Sequence, residues 1–334
     1  MIKHYTIPVF IPELGCPFRC IYCDQYKISG KVQKPEDEEI IAEIESHLNT
    51  FRKKNRRVEL GFFGGNFTGL PKEDMLHYLA LIQPYFKDGQ IDAIRLSTRP
   101  DYIDRNILDI LKRYHVETVE LGAQSMDDEV LQLSGRGHTA EDTAKASGMI
   151  RKHGFRLGLQ MMTGLPGDTL VKSKNTAKAF ADLGAVDVRI YPALVIRGTY
   201  LETMYLEGAY RPQALDEAVS WSKELFLIFE NAGIRIIRMG LHPSEGIAGG
   251  EDLVAGPFHP SFRELVLTDI WGEHLKNISL GRSEKVSISV SPSQFNYAIG
   301  YDAKNKKRLL KTFKYVTFLK DPGLSGRSYH VDYH

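Results

Sequence analysis

Arg156-Leu-Gly-Leu-Gln-Met-Met-Thr-Gly-Leu-Pro-Gly167 sets the pattern of the chain. A short strand-forming run, Arg156 to Met162, stops at the turn formers Gly164-Leu165-Pro166-Gly167, and a helical segment leads to the next such run, Asp187 to Val195. Upstream the same unit recurs at Ile7 to Leu14, Val58 to Phe63, Ala93 to Thr98 and Thr118 to Ala123. Six strand and helix units in succession predict parallel strands joined by crossover helices. Most of the runs are near-continuous in apolar residues, as fits strands covered on both faces. Between the first two, Pro35 and four acidic residues open a segment in which Ile40, Ile41, Ile44, Leu48 and Phe51 recur at helical spacing. Loop signals follow the strands at Gly64-Gly65-Asn66, Arg99-Pro100-Asp101 and Arg197-Gly198-Thr199, on the edge of a parallel barrel that carries chemistry.

A helix over Pro212 to Ala232 and a strand over Ile234 to Met239 continue the alternation until the Gly-rich stretch Gly246 to Gly256 breaks it. The remainder reads as helix, strand (Val286 to Val290), helix (Asp302 to Thr312), strand (Tyr315 to Leu319) and a loose tail. The expected fold class is therefore α/β: an incomplete (β/α)6 TIM-like barrel over residues 1–245 with a small C-terminal α+β domain over 258–334.

The 334 residues, 43% hydrophobic and 25% charged, suffice for one large domain with an appendage. A net charge of +1 gives no reason to expect a general polyanion binder, so a nucleic-acid site must be a local patch. One such patch stands out. Gly281 to Lys320 holds nine basic residues against two acidic ones, a net +7, together with Phe295, Tyr297, Tyr301, Phe313 and Tyr315. That stretch reads equally as an RNA-holding surface or as a solvated lysine-rich helix. The N-terminal MIKHYTIPVF has no secretory h-region, and no apolar run approaches the ~18 residues of a membrane span, so a cytoplasmic protein with no membrane partner is expected.

Only three cysteines occur, in Cys16-Pro-Phe-Arg-Cys20-Ile-Tyr-Cys23, directly after the first strand. Three thiolates from one loop can hold three irons of a [4Fe-4S] cubane and leave the fourth open. Two other readings of the same residues are a zinc site with a recruited fourth ligand, from His4 or His138, and three buried thiols without metal.

With this motif the chain resembles the radical S-adenosylmethionine (radical SAM) superfamily over roughly residues 5 to 245. Leu96-Ser-Thr-Arg-Pro-Asp-Tyr102, Val119-Glu-Leu-Gly-Ala-Gln-Ser125, Arg136-Gly-His-Thr139 and Gly158 to Gly167 look like the catalytic subunit of the elongator tRNA-modification complex. Anaerobic coproporphyrinogen dehydrogenases share that layout. The resemblance implies one [4Fe-4S] cluster on Cys16, Cys20 and Cys23, with S-adenosyl-L-methionine on its open iron, cleaved reductively to a 5'-deoxyadenosyl radical. It implies that the turn Gly64-Gly65-Asn66 meets the methionyl amine and that Ser97 and Gln124 lie near the ribose or methionyl part. It further implies that Arg136 faces the carboxylate, that Gln160 approaches the ribose, and that Leu194 and Val195 contact adenine together with Tyr22. An electron donor such as flavodoxin or ferredoxin, and tRNA or another RNA base as substrate, follow in the same way.

The chain departs from the elongator subunit in lacking its acetyltransferase domain, in having no cysteines for a further metal site, and in carrying Asn66 where that pattern has Thr. Acetyl-CoA chemistry is therefore not expected. It departs from the porphyrinogen enzymes in the short segment before Cys16. The competing functions are a radical SAM enzyme for a small molecule or peptide and a zinc-bound RNA-binding module. No residue is singled out for chemistry on the substrate. His242-Pro-Ser244 and His259-Pro-Ser261 flank the Gly-rich stretch and read as histidines presented to a substrate or as plain turns. Glu120, Arg99, Arg189 and Tyr191 lie on or beside barrel strands, where they serve either substrate binding or packing.

Overall fold

Alternation, more than continuous apolarity, governs how the strands sit. The computed structural model describes residues 2–11, 16, 20–29, 34–52, 54–241, 245–278 and 284–334. Its main strands are β1 (Lys3–Ile11), β2 (Arg56–Gly64), β3 (Ala93–Thr98), β4 (Val116–Gln124), β5 (Arg156–Thr163) and β6 (Asp187–Pro192), followed by a short β7 (Val195–Ile196) and then β8 (Arg235–Met239). The seven longer strands form one parallel sheet in sequential order, β8 lying beside β6. β8 is the strand expected over Ile234 to Met239, and it joins the arc of the six-unit reading. Asp187 to Val195 is divided: β6 stops at Pro192, and β7 pairs antiparallel with β9 (Leu253–Ala255).

Along each strand, alternate residues face opposite ways. Leu96, Val119, Leu121, Leu159, Val188 and Ile190 are buried in the main apolar core. The residues between them carry charge or amide groups, and they meet on the other face. Arg95 of β3 donates to Glu59 of β2 (2.9 Å), Glu120 of β4 (3.1 Å) and Asp187 of β6 (2.6 Å). In a flat sheet β3 and β6 would stand about 14 Å apart, three strand spacings. The 2.6 Å contact therefore requires the sheet to curl, with the charged residues on its concave side. The reading of strands apolar on both faces does not hold there. Gly158 shows how tightly that side is filled: a Cβ on it would lie 3.1 Å from Cγ of Glu120.

Helices cover the convex face. The helix Asp37–Thr50 starts in a capping box between Glu36 and Glu39 and buries Ile40 and Ile44. Leu225 and Phe229 of the helix Leu215–Asn231 do the same. The helix Phe262–His274 serves two cores: Phe262, Val266, Leu267 and Ile270 belong to the main one, Trp271 to a smaller one with Ile288, Phe313 and Phe318. That smaller core backs a three-stranded sheet in which β10 (Lys285–Val290) lies between a parallel β11 (Tyr315–Lys320) and an antiparallel β12 (Tyr329–Tyr333). The segment read as a loose tail thus ends in a strand, because Tyr329 and Val331 pair with Val290 and Ile288 and pack on the small core. The expected helix over Asp302 to Thr312 shortens to Lys304–Leu309, since Asp302 and Ala303 sit at φ 49° and 55°, outside helical space.

Replacing Arg95 by Met removes the cation shared by Glu59, Glu120 and Asp187 and leaves Glu120 to Arg189 and Asp187 to Arg235 alone. The expected loss is ~3–5 kcal/mol, read as a lower melting temperature by circular dichroism. Burial alone would raise the Asp187 carboxyl, but hydrogen bonds from Arg235 and Arg95 outweigh it and hold its pKa below the usual carboxylate value. Such a group stabilises the fold above its unfolded pKa of about 3.9, and the contribution is lost as pH falls through the depressed value. Between about pH 5 and pH 2 the wild-type melting temperature should therefore fall more steeply than that of Asp187→Asn.

Candidate active site

The carboxyl ends of the strands bring the sequence motifs to one edge. After β1, the cysteine segment is fastened on two sides: Ile21 N–H donates to the Ser134 carbonyl (3.2 Å), and its own carbonyl accepts from Leu201 N–H (2.8 Å). Cys23 N–H closes a turn onto the Cys20 carbonyl (3.1 Å), and the Gln25 amide lies 3.3 Å from the Cys23 sulfur. None of the three thiols is in a disulfide. Among the described residues no three His, Cys, Asp or Glu side chains stand close enough to share a single metal ion.

Arg136 is the centre of the arrangement. Its guanidinium is buried and donates from Nη1 to the Cys20 sulfur (3.2 Å) and the Tyr22 hydroxyl (3.3 Å), and from Nη2 to the Gly122 carbonyl (2.5 Å). Burial opposes its charge, but the electronegative groups of Tyr22 and Cys20 hold the pKa above its ordinary value. Burial likewise keeps the Tyr22 phenol protonated well past its usual range. The segment after Arg136 hooks onto the end of β4, where a ring nitrogen of His138 lies 3.2 Å from the Ala123 carbonyl. Burial, then the nearby Arg136 and Arg99, push the His138 pKa down to about 4, so the ring is neutral at pH 7.

The end of β4 is irregular. The register slips between Leu121 and Gln124, and Gln124 takes φ 65°, an uncommon conformation for a residue with a Cβ. Gly122 makes the room: a Cβ there would lie 3.1 Å from the Gln124 amide and 3.6 Å from the Arg136 guanidinium. After β2, Gly64 adopts φ 106°, and a Cβ on it would stand 2.5 Å from the Ile11 carbonyl, so only glycine lets the two strand ends approach. Gly65 N–H donates to that same carbonyl (2.9 Å).

Asn66 is turned inward and is 2% exposed; its Oδ1 accepts from the Thr98 hydroxyl (2.5 Å) and from Arg99 N–H (3.1 Å). Arg99 is held by Asp101 through two 2.9 Å bonds and donates to the Arg136 carbonyl (2.6 Å). The Leu96 to Tyr102 motif thus positions both Asn66 and Arg136 from behind.

Three buried polar atoms here have no partner among the described residues: Gln124 Oε1, Arg136 Nε and His138 Nδ1. Native interiors rarely leave such atoms unsatisfied, and here three fall on one loop edge. Residues 11–179 match the family model described as the Radical SAM superfamily, and 186–271 match its C-terminal domain. The chain belongs to the radical SAM superfamily.

As a radical SAM protein it is an enzyme of that class. It is 33% identical over 214 residues to an uncharacterized protein of Methanocaldococcus jannaschii, covering 63% of this chain and 62% of that one. It is 35% identical over 130 residues to the tRNA uridine(34) acetyltransferase of Methanocaldococcus infernus, covering 38% of this chain and 24% of the relative. The chain therefore spans less than two thirds of either relative. In fold it is similar to an N-terminally truncated archaeal Elp3 of the same organism, at TM-score 0.67 and 23% identity over 82% of this chain and 64% of that one.

The remaining sequence candidates divide among four places in this radical SAM fold. Tyr22 and Val195 share an apolar cluster with Cys20, Leu165 and Tyr210, whereas Leu194 packs with Ile196 and Ile247 in a separate one. Ser97 lies 3.4 Å from Glu120, and Glu120 pairs with Arg189 at 2.6 Å. Arg189 also lies over the Phe63 ring and donates to the Tyr191 hydroxyl (3.4 Å). Gln160 stands beside Arg189 in the register of β5 and β6. These residues form the polar floor of the barrel below the cysteine loop. His259 is away from them, its ring edge-on to Tyr301, and His242-Pro-Ser244 falls outside the described residues. The sequence reading missed Arg95, Glu59, Asp187 and Gly122; the signal for them was the two-residue period of charge and glycine within the strands.

Converting Gly122 to Val forces the Gln124 amide and the Arg136 guanidinium apart. A loss of about 1–3 kcal/mol is expected from chemical denaturation, with little change from the conservative Tyr22→Phe.

Proposed function

We propose that this chain holds one [4Fe-4S] cluster through Cys16, Cys20 and Cys23, binds S-adenosylmethionine beside it, and acts on tRNA or another RNA base. The observation that carries the reading is the Arg136 contact to Cys20 and Tyr22 with unspent hydrogen-bonding capacity at Gln124, Arg136 and His138 around it. When bound, such a cluster supplies the electron that cleaves the sulfonium and releases a carbon radical for hydrogen abstraction. The chain's own residues do the holding. Arg136 keeps a positive charge beside Cys20, suited to a carboxylate within its reach. The glycine turn after β2 exposes backbone where a ligand's amine can approach, and Ser97, Gln124 and Gln160 present neutral hydrogen-bonding groups suited to hydroxyls. Val195 and Tyr22 offer an apolar wall for a flat ring. Cys20 is buried and Cys23 half-buried in the apolar cluster with Leu165 and Tyr210, which restricts water around a reactive species.

The RNA part of the reading is supported by the tRNA-modifying relative and by the basic C-terminal domain. Of the five aromatic residues there, Phe313 is 1% exposed and belongs to the core, whereas Tyr301 and Tyr315 are exposed at 42% and 56%. Arg308 donates to the Gly272 carbonyl (2.8 Å) and builds the domain, which leaves Lys304, Lys306 and Lys311 as better phosphate contacts. No helix among the described residues is long and apolar enough to cross a membrane.

Anaerobic reconstitution should give a brown protein with about four irons per chain. It should cleave S-adenosylmethionine to 5'-deoxyadenosine with a chemical reductant, and Cys20→Ala should lose both properties. A colourless protein with one bound zinc would overturn the cluster assignment. In filter binding, tRNA affinity should fall steeply with salt, and Lys304→Glu, Lys306→Glu and Lys311→Glu together should weaken it at least about tenfold without changing substrate-free cleavage. Equal tRNA affinity in the triple variant would remove this surface from the reading.

A further inference from the structure

On the outer side of the Gly164 to Asp168 loop lies a cleft of about 450 Å³, lined by Leu133, Met204, Tyr210, Gln213 and Trp221 along with the loop itself. That volume is in the range of small-molecule sites. Leu165 and Tyr210 separate it from the site above, since both pack in the apolar cluster that contains Cys20 and Tyr22.

Several of its polar groups are engaged within the protein. Asp168 accepts from Gly164 N–H (2.9 Å), Thr169 N–H (2.8 Å) and the Ser173 hydroxyl (2.8 Å). The Tyr210 hydroxyl donates to the Gly164 carbonyl (2.6 Å), and Arg211 at the rim is engaged by Glu217 (3.0 Å). Gln213 is 6% exposed and accepts at Oε1 from the Thr163 hydroxyl (3.2 Å), but its Nε2 has no partner. A buried amide end without a partner is costly, and its geometry is fixed here because a Cβ on Gly164 would already lie 2.6 Å from Gln213 Oε1. The cleft therefore presents, inside the Arg211–Glu217 pair at its rim, a buried amide group with unpartnered N–H donors and the aromatic side chains of Trp221 and Tyr210.

We propose that this cleft is a second ligand site, for an uncharged planar ring with a carbonyl edge, that is, a nucleobase. The carbonyl accepts one Gln213 Nε2 hydrogen and the ring lies along the indole. A base of that chemistry can come from a free nucleoside or from a nucleotide of an RNA chain.

Trp221 and Trp271 are the chain's two tryptophans, and Trp271 is fully buried in the small core, so quenching of exposed indole emission reports on the cleft. Titration of the full chain with uridine, and separately with a short oligouridylate, should give saturable quenching. A Gln213→Met variant, which keeps shape and loses the donors, should bind at least about tenfold more weakly while retaining the wild-type melting curve. Trp221→Phe should abolish the signal. Tight binding by uridine identifies a free nucleoside as the source, and binding by the oligonucleotide alone identifies RNA. No saturable quenching by either probe, or equal affinity in Gln213→Met, overturns the proposal.

Discussion

Arg95 is the constraint on which the remainder of the barrel depends. One guanidinium, 3% exposed, meets carboxylates from β2, β4 and β6. Taking four charges out of water carries a heavy desolvation penalty, which is offset only when each charge is paired and hydrogen bonded. Here the pairing has a geometric consequence as well as an energetic one. A side chain from the third strand can reach the sixth only when the sheet is curved, so the same contacts that satisfy the buried charge also keep the arc closed inward. A packed apolar interior of equal volume would fold too, but it would leave no polar floor beneath the loop edge.

Above that floor the site is assembled by backbone carbonyls as much as by side chains. The ends of β4 supply Gly122 and Ala123 carbonyls to Arg136 and His138, and Ile21 joins the cysteine segment to the chain after β4 and after β7. Arg99 and Asn66 form a second layer behind, tying the ends of β2 and β3 to the same point. The result is a loop edge whose polar atoms are aimed but not all satisfied. Such atoms raise the energy of the empty fold and lower it when a ligand completes them, which is the usual exchange of stability for binding at functional sites.

Much of this was legible beforehand in particular residues. The spacing of Cys16, Cys20 and Cys23, the glycine pair after β2 and the order of the strands all follow from local sequence, because turn chemistry and alternation of strand with helix are short-range properties. The β12 strand was not legible: Tyr329 to Tyr333 carries few apolar residues and becomes a strand only because β10 offers an edge beside the small core. The mixed burial of the C-terminal aromatics was hidden for a similar reason. Phe313 and Tyr315 are two residues apart, and one is core while the other is surface.

The sequence by itself determined the parallel α/β class, the cysteine loop and its place after the first strand, since each depends on neighbours within a few residues. Tertiary structure alone decided that Arg136 would reach Cys20 across 116 positions, that Arg95 would gather three strands, and that Gln213 would close over Gly164. Those contacts depend on the curvature of the whole sheet and on which buried groups remain unpaired, quantities that no window of sequence contains.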